Sequence, residues 1–299
     1  MDEREAYLRA GLIASRVREE VRSRVKVGAS ILEICEFVER RIRELGGQPA
    51  FPCNVGVNHV AAHYTSPPGD PKTIPDGALV KVDLGVHVDG YIADTAFTVS
   101  FNPELEPLVE AVETALEAAI EAVRAGVRVS SLGSIIEGRI RRMGFKPIRN
   151  LTGHGLARYT IHSGEIIPNV SSGHRGQLKE GRAYAIEPFA TTRFGHGEVA
   201  GAPERYIFRL VKVKRVGGMA GEMLNYINEH FRTLPFSERW LVGVIEDPLN
   251  TLSRLVDMER VYHYPVLIER SGGFVSQYED TLIVTEEGVR PLVGVLELG

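Results

Sequence analysis

Two aspartates within one short stretch are the first residues whose types and spacing suggest chemistry. Asp83 and Asp94 each interrupt an apolar, β-branched run, and Asp89-Gly90 between the runs suits a tight hairpin turn. A two-residue loop there pairs Gly85 with Asp94, and any even-length loop projects both carboxylates from one face of the hairpin. Two half-buried carboxylates repel each other and are costly to bury unpaired, so the pattern favours a metal site between them.

The elements that position Asp83 occur twice in the chain. Residues 25–49 align with 123–147 at an offset of 98, with eight identities in one ungapped window. The segment 74–84 then aligns at an offset of 104, which places Glu187 on Asp83. Such a duplication predicts two similar halves about a pseudo-twofold axis, with strands in a shared sheet and helices covering one face.

By analogy with Asp83 and Asp94, we expect a second acid on the strand that pairs with the strand of Glu187. No such strand follows Glu187 directly, but the β-like run at 274–285 contains Glu279 and Asp280. Either acid can be matched to Asp94 on the repeat alone, so at this point both alternatives stay open.

Helical periodicity indicates what surrounds these strands. It predicts helices over about 4–26 and 104–125. The chain between Glu187 and its partner strand is far longer than a turn needs. We interpret residues 203–262 as a helical insertion in the second half, with helix-like stretches at 218–232 and 236–246.

Four carboxylates and one imidazole form the candidate metal ligands. They are Asp83, Asp94, Glu187, Glu279 and His154, the last in a turn-like TGHG. This charge suits two divalent ions about 3.5–4 Å apart, and oxygen-rich ligation favours Mn, Fe(II) or Co over a thiolate zinc site. Two such ions activate water near neutral pH, so the reaction class is metal-assisted hydrolysis of an amide. The alternative is that Asp83 and Glu187 are strand-end acids paired with arginines.

Two histidines lie in irregular segments, each ahead of a carboxylate strand. They are His63 in AAHYTS and His162 in YTIHSG, where loops that line a pocket are expected. A lone histidine in a loop is more often structural, but the position of these two beside the expected site favours a functional role.

Composition limits the class of protein. The 299 residues are 43% hydrophobic and 25% charged, as in soluble globular proteins, and the net charge of −4 provides no basic field for nucleic acid or membranes. We find no apolar run of the roughly 18 residues that a membrane span needs, and the start MDEREAY lacks the apolar core of a signal peptide. Two lone cysteines, Cys35 and Cys53, favour a reducing cytoplasm.

Five ordered motifs give the chain a specific resemblance to the methionine aminopeptidases. The motifs are HVAAHYTSPPGD, KVDLGVHVDGYIADTAFTV, LTGHGLARYTIHSG, YAIEPFAT and SQYEDTLIVT, and the match extends from about 5 to 290. The insertion before SQYEDT is similar to the type 2 branch, and the short N-terminal part resembles its archaeal form. The resemblance implies an α+β (α/β) pita-bread fold in one catalytic domain over 1–299, with a pseudo-twofold antiparallel sheet covered by helices.

The resemblance also implies roles for individual residues. The family's five ligands to two divalent ions (Co, Mn, Fe(II) or Zn) fall on Asp83, Asp94, His154, Glu187 and Glu279. Its two substrate-contacting histidines fall on His63 and His162, and Phe51 and Ile161 fall where the family lines its methionine pocket. Glu187 is expected to accept a proton from the bridging water. The expected reaction removes the initiator methionine from nascent peptides with a small second residue.

One departure from the family concerns the last ligand motif. The family usually has Gln-Phe-Glu-His-Thr where residues 277–281 read Gln-Tyr-Glu-Asp-Thr. Asp280 thus replaces a histidine and adds a carboxylate beside Glu279. We expect Glu279 to be the ligand, because Gln277 and Thr281 keep the family frame.

Two alternative functions follow from the same resemblance. A prolidase or aminopeptidase P normally has a large N-terminal domain, for which a first ligand at Asp83 leaves no room. An inactive binding protein of the same fold would have lost ligands, whereas all five candidates are present here. The expected partner is therefore a peptide or nascent-chain N-terminus, with ribosome association as an option, no nucleic acid or membrane, and a monomeric state.

Overall fold

The structure is a computed structural model that describes residues 1–285 and 288–294. The predicted domain of 1–299 thus includes 286–287 and 295–299, which lie outside the described residues. The α-helices in the described ranges are α1 (Glu3–Arg22), α2 (Ile31–Glu44), α3 (Glu106–Ala122), α4 (Val129–Arg142), α5 (Gly218–His230) and α6 (Pro248–Asp257).

Short and long strands alternate with these helices. In chain order they are β1 (Gln48–Pro49), β2 (Asn54–Val57), β3 (Val60–Ala62), β4 (Leu79–Val88), β5 (Tyr91–Ser100), β6 (Lys146–Pro147), β7 (Thr152–Leu156), β8 (Ile166–Pro168), β9 (Ala183–Ile186), β10 (Phe189–Thr191), β11 (Val199–Leu210), β12 (Phe236–Ser237), β13 (Val261–Glu269), β14 (Val275–Gln277), β15 (Asp280–Thr285) and β16 (Gly288–Pro291). All of their pairings are antiparallel.

Local signals in the sequence set the helix ends. The Asp2 carboxylate accepts a hydrogen bond from the Glu5 amide at 2.7 Å and caps α1, and the Ser30 hydroxyl caps α2. Helix α2 ends just before Gly46, whose φ of +85° is the left-handed conformation expected after a helix C-terminus. The buried side of α1 packs against β4 and β5, so helices cover the face of the sheet away from the acids.

The first hairpin has the predicted register. Strands β4 and β5 pair with Gly85 opposite Asp94, and the two-residue turn has φ of +50° at Asp89 and +87° at Gly90. Those two positive values are what a type I′ turn requires, so the Asp-Gly dipeptide explains the turn. The even loop places Asp83 and Asp94 on one side of the hairpin.

Backbone hydrogen bonds repeat between the two halves. The Gly28 amide donates to the Ile74 carbonyl at 2.8 Å, and the Gly126 amide donates to the Leu178 carbonyl at 2.8 Å. These pairs are related by the offsets of 98 and 104 that the sequence alignment gave. The two glycines also share a left-handed φ, of +80° and +81°. The duplication read from the sequence is therefore a duplication of backbone structure.

Strand registers repeat in the same way. On β2 and β4, Gly56 is opposite Lys81, and on β7 and β9, His154 is opposite Ala185. Position 154 is 98 beyond 56, and position 185 is 104 beyond 81. The side chains at these matched positions differ, although the backbone partners correspond.

The two halves meet at β5. The Glu279 amide donates to the Ala96 carbonyl at 3.0 Å, and the Thr95 hydroxyl donates to the Glu279 carbonyl at 2.9 Å. The Asp94 amide also donates to the Thr281 hydroxyl at 2.7 Å. These bonds bring an acid from the end of the chain beside the first hairpin. The predicted shared sheet is thus two sheets, one with β1, β2, β4 and β5 and one with β7, β8, β9, β15 and β16, joined by an isolated bridge between Ala96 and Glu279.

The insertion has its own small core. Strands β11 and β13 pair, β12 adds to β11, α6 packs on β13, and α5 packs on α6. The buried apolar residues of this cluster are Phe208, Leu210, Ala220, Met223, Leu224, Ile227, Phe236, Leu241, Leu252, Leu255 and Val261. The pairing of β11 and β13 reaches from Val199 to Glu269, so strands as well as helices build the region predicted at 203–262.

One helix prediction within the insertion is wrong. The stretch 218–232 agrees with α5, but 236–246 forms β12 and a 3₁₀ turn at Glu238–Leu241, and the second helix is α6. Gly243 has φ of +79° and interrupts any helix there, and Pro248 fits the first turn of a helix that begins later. The predicted helix at 236–246 rested on hydrophobic periodicity, which takes no account of the backbone preferences of Gly243 and Pro248. No helix in the described ranges is both long and apolar enough to cross a membrane.

Candidate active site

One cavity of about 230 Å³ brings together all the residues of the predicted ligand, histidine and pocket sets. Its lining includes all five candidate ligands, both candidate histidines and both candidate pocket residues. They are Phe51, His63, Asp83, Asp94, His154, Ile161, His162, Glu187 and Glu279. Segments more than 200 residues apart in sequence thus meet at one site.

Two of the acids lie within strands and two lie at breaks between strands. Asp83 and Asp94 lie within β4 and β5, Glu187 lies between β9 and β10, and Glu279 lies between β14 and β15. His154 is in the middle of β7, with its Nε2 atom 3.4 Å from Glu187 Oε1 and 3.8 Å from Asp94 Oδ2. Potential ligand atoms of Asp94, His154 and Glu279 all lie within 4.8 Å of one another.

The acids are crowded, with Asp94 and Glu279 buried and Asp83 and Glu187 half-buried. Burial raises the pKa of Asp83 to about 7. Burial, and then the charges of the neighbouring acids, raise the pKa values of Asp94, Glu187 and Glu279 well above their usual range. Burial also lowers the pKa of His154 to about 3. A cluster with these properties favours a compensating positive charge over four separate ionised carboxylates.

Unpaired polar atoms point to the same conclusion. Within the described part of the chain, Asp83 Oδ1 and Asp94 Oδ1 are buried and have no hydrogen-bond partner. Buried polar atoms without partners are rare in native proteins and call for a water or ion. Carboxylate oxygens with one imidazole nitrogen are ligands that Mn, Fe(II), Co and Zn accept, so the residues fit divalent ions.

The two candidate histidines have different neighbours. His63 has a left-handed φ of +63°, unusual for this residue type, and its Nδ1 lies 3.3 Å from the Pro265 carbonyl oxygen. Its ring packs edge-on against Tyr264. The His162 ring lies 4.5 Å from the His154 ring. Burial lowers the pKa of His63 to about 4 and lowers that of His162, so both rings are neutral at pH 7.

The apolar wall includes residues that sequence reasoning missed. Ile207, Pro235 and Tyr264 line the cavity beside the predicted Phe51 and Ile161. Ile207 and Tyr264 are paired on β11 and β13, and Pro235 immediately precedes β12. Nothing in their local pattern marked them, since they reach the site only through the fold of the insertion. The one available signal was that strands flank the insertion on both sides.

A glycine creates the space for Phe51. A Cβ atom at Gly85 would lie 2.2 Å from the Phe51 ring, closer than any real contact. Gly85 is directly opposite Asp94 in the hairpin. The glycine therefore lets an aromatic ring reach the cavity next to an acid.

The choice between the two adjacent acids follows from strand alternation. Glu279 lines the cavity, whereas Asp280 pairs with Ile186 on β9 and accepts a hydrogen bond from the Val293 amide at 3.1 Å. Neighbouring residues on a strand project to opposite faces. The structure thus supports Glu279 as the candidate ligand, and its role stays a prediction.

The register also refines the match between the halves. Gln277 is opposite Phe189, as Asp94 is opposite Gly85, and position 189 is 104 beyond 85. Gln277 therefore occupies the place of Asp94, and neither Glu279 nor Asp280 does. Glu279 lies two residues further along the chain, so it points to the same side as Gln277. The expectation of an acid facing Glu187 holds, but not as an exact copy of the first hairpin.

Comparison with known proteins agrees with this geometry. The profile of metallopeptidase family M24 matches residues 5–286. A methionine aminopeptidase of Thermococcus onnurineus is 47% identical over 96% of this chain and 98% of its own length. One from Saccharolobus solfataricus is 43% identical over 96% of this chain and 97% of its own. The chain belongs to the methionine aminopeptidases of family M24.

Solved structures show the extent of the shared fold. A methionine aminopeptidase from Thermotoga maritima covers 97% of this chain with a TM-score of 0.71 at 22% identity, and this chain covers 95% of it. A thermophilic Arx1 covers 96% with a TM-score of 0.81 at 18% identity, and this chain covers 90% of it. The prolidase of Pyrococcus furiosus has a TM-score of 0.61 at 21% identity and covers 97% of this chain, which covers only 63% of that protein. The pita-bread fold is thus the architecture of this metallo-exopeptidase.

Proposed function

We propose that this methionine aminopeptidase removes N-terminal methionine from peptides and nascent chains whose second residue is small. The observation that carries the proposal is the convergence of four carboxylates, three histidines and an apolar wall on one cavity. The relatives named methionine aminopeptidase, which match nearly the whole chain, support the same reaction.

Two divalent ions are proposed to bind among the five candidate ligands. Asp94 would help hold one ion and His154 the other, and Asp83, Glu187 and Glu279 would complete the set of ligands. When bound, such ions lower the pKa of water and polarise the scissile carbonyl. The crowding of the acids supports this arrangement, because a nearby cation would stabilise the ionised form of each of them.

Three side chains are proposed to handle the substrate. Glu187 would accept a proton from the attacking water, since its half-buried carboxylate lines the cavity with Oε1 3.4 Å from His154 Nε2. His63 and His162 would contact the scissile amide and stabilise the tetrahedral intermediate by hydrogen bonding. Both rings are neutral at pH 7, so each has one N–H. In His63 the Nδ1 atom lies 3.3 Å from the Pro265 carbonyl, which can only accept, so its Nε2 would accept a hydrogen bond from the scissile amide N–H. His162 would donate its N–H to the tetrahedral intermediate.

Phe51 and Ile161 are proposed to bind the methionine side chain. Both are nearly fully buried in the cavity wall. An apolar wall cannot satisfy the hydrogen bonds of a polar first residue, so it would reject such residues.

Further properties are proposed on narrower grounds. The insertion between β11 and β13 supports a type 2 enzyme of the short archaeal kind. Two buried, free cysteines fit a cytoplasmic location. A monomeric state and association with the ribosome remain predictions.

Metal-stripped protein tests the proposal directly. Hydrolysis of Met-Ala-Ser should be absent without metal and should return on titration with Mn, Fe(II), Co or Zn. A parallel assay with Xaa-Pro peptides separates this activity from that of a prolidase. Full activity in the stripped protein, or preference for Xaa-Pro peptides, would contradict the proposal.

A further inference from the structure

A buried ion pair connects the insertion with the first half of the molecule. Arg239, in the 3₁₀ turn of the insertion, donates to the Glu39 carboxylate of α2 through Nη1 at 2.8 Å and Nη2 at 3.0 Å. Both side chains are less than 10% exposed, at 8% and 3%. Parallel bonds of this kind hold a guanidinium and a carboxylate in one fixed orientation.

Each partner also holds a segment of the cavity wall. Glu39 Oε1 accepts from the Cys53 amide at 3.2 Å, between the cavity residues Phe51 and Asn54. Arg239 Nε donates to the Ser66 carbonyl at 3.1 Å, and Nη2 donates to the Thr65 hydroxyl at 3.1 Å. That second segment begins at the cavity residue His63.

The third connected segment belongs to the insertion. The Trp240 indole donates to Glu39 Oε2 at 2.7 Å. The 3₁₀ turn directly follows β12, where Ser237 is opposite the cavity residue Ile207, and Pro235 of the cavity wall precedes the same strand. One ion pair thus joins three chain segments that all line the cavity.

The second half lacks this connection. Glu137 is the repeat counterpart of Glu39, at the offset of 98. It accepts from the Ser171 amide at 2.8 Å and pairs with Arg141 at 2.7 Å on its own helix. None of these three residues lines the cavity or belongs to the insertion.

We infer that Glu39 and Arg239 are positioning residues, which fix the distance across the methionine pocket between the insertion and the first half. The inference rests on the proposed methionine specificity. Burying both charges is costly, and such a pair is not the cheapest way to stabilise a core. A role in positioning accounts for why the pair joins three separate cavity-lining segments.

Arg239→Lys and Glu39→Gln test the inference, with Glu137→Gln as the matched control. Arg239→Lys keeps the charge but loses the parallel bonds. We expect KM for Met-Ala-Ser to rise roughly tenfold, the low end of what a misfitted methylene costs an apolar pocket. We expect kcat to change less than about twofold and bound metal to stay at the wild-type level, because no candidate ligand is touched. Glu137→Gln should leave both constants unchanged.

The double variant and the single tryptophan add independent readouts. If the two side chains act as one unit, Arg239→Lys with Glu39→Gln should raise KM no more than the larger single effect. Trp240 is the chain's only tryptophan, so its emission should change in both single variants and stay constant in Glu137→Gln. Trp240→Phe removes one donor to Glu39 without a charge change and should raise KM by a smaller factor.

The outcomes separate this inference from the proposed function. Unchanged KM in Arg239→Lys and in Trp240→Phe would overturn the positioning role while leaving the activity intact. An equal rise of KM in Glu137→Gln would also overturn it, because the effect would then be general. Wild-type protein that fails to cleave Met-Ala-Ser with any metal would instead remove the proposed function. If Arg239→Lys does not fold, the Trp240→Phe result decides.

Discussion

The two halves of the molecule share a backbone but not its chemistry. At one matched position the second half has His154, and the first half has Gly56. A Cβ at Gly56 would lie 2.5 Å from the Val60 carbonyl oxygen and 3.0 Å from Lys81 Cε, so no larger side chain fits there. The imidazole can therefore come only from the second half.

Opposite this position, the larger side chain is in the first half: Lys81 is opposite Gly56, and Ala185 is opposite His154. Lys81 is 1% exposed, and its Nζ donates to the carbonyls of Val275 at 2.8 Å and Asn58 at 3.2 Å. Its counterpart Ala185 has only a methyl side chain, which cannot donate a hydrogen bond. The lysine ties β14, just before Glu279, to the β2–β3 turn, just before His63. On these paired strands the first half thus has a lysine that holds two loops near the site, whereas the second half has a candidate metal ligand, His154.

A third matched pair concerns the apolar wall. Phe189 lines the cavity with its own ring, while Gly85 at the matched position makes room for the ring of Phe51. Both halves place an aromatic ring in the wall, but from different points of the chain. The two halves therefore share the backbone that surrounds the site, and different side chains at matched positions make one site out of two copies.

The strongest test of the comparison is the matched pair of acids. Asp83→Asn and Glu187→Gln should each lower metal affinity by at least roughly 100-fold, the upper value for a lost partner of a ligand. Glu187→Gln should also cost roughly 10²–10⁴-fold in kcat with saturating metal, the range for a lost general base. Titration calorimetry and kcat at high metal measure the two effects. Wild-type metal binding in either variant would break the equivalence.

The two acids at the end of the chain provide the next test. We expect Glu279→Ala to lose metal and Asp280→Ala to keep it, because only Glu279 lines the cavity. Metal content after dialysis, determined by elemental analysis, measures this. Circular dichroism controls for folding, since Asp280 is buried. Loss of metal in the Asp280 variant alone would show that Asp280, and not Glu279, is the ligand.

Lys81→Met should mainly affect stability. The variant leaves the buried carbonyl of Val275 without its lysine donor, whereas the Asn58 carbonyl still accepts from the Val275 amide at 3.0 Å. The loss should lower the free energy of unfolding by about 1.5–3 kcal/mol, the range for a hydrogen bond to a charged group. Denaturant unfolding measures the loss. Lys179→Met, on the exposed surface, serves as the control and should stay within about 0.5 kcal/mol of wild type. Equal stability of both variants would remove Lys81 from its supporting role.

Gly85→Ala should give the smallest effect. Its new Cβ would displace the Phe51 ring, so we expect KM for Met-Ala-Ser to rise several-fold, with stability reduced by about 1–3 kcal/mol. Gly138→Ala, where an added Cβ meets nothing within 4 Å, is the control. An unchanged KM in Gly85→Ala would show that Phe51 does not set the fit of methionine.

Much of the site was predictable because its signals are local or repeated. The Asp89-Gly90 turn fixes the register of the first hairpin, and the repeat leads from Asp83 to Glu187. The further step to Glu279 depended on the family resemblance, since the repeat alone left Asp280 open. Strand alternation in the structure then distinguishes them, because Asp280 belongs to the opposite face.

The insertion was the least predictable region. Its helix α6 begins later than periodicity suggested, and its three cavity residues carry no local signal. The buried pair of Glu39 and Arg239 joins positions 200 residues apart, and sequence spacing contains no information about such a contact.

The sequence by itself determined the hairpin, the duplicated backbone, the candidate ligands and the family. These follow from turn chemistry, alternation and repeated motifs, which act over a few residues or recur at a fixed offset. Only the tertiary structure decided which face each acid occupies at the end of the chain, and how the insertion closes the apolar wall. Those features depend on packing between distant segments, where burial and hydrogen-bond geometry, rather than local propensity, select the arrangement.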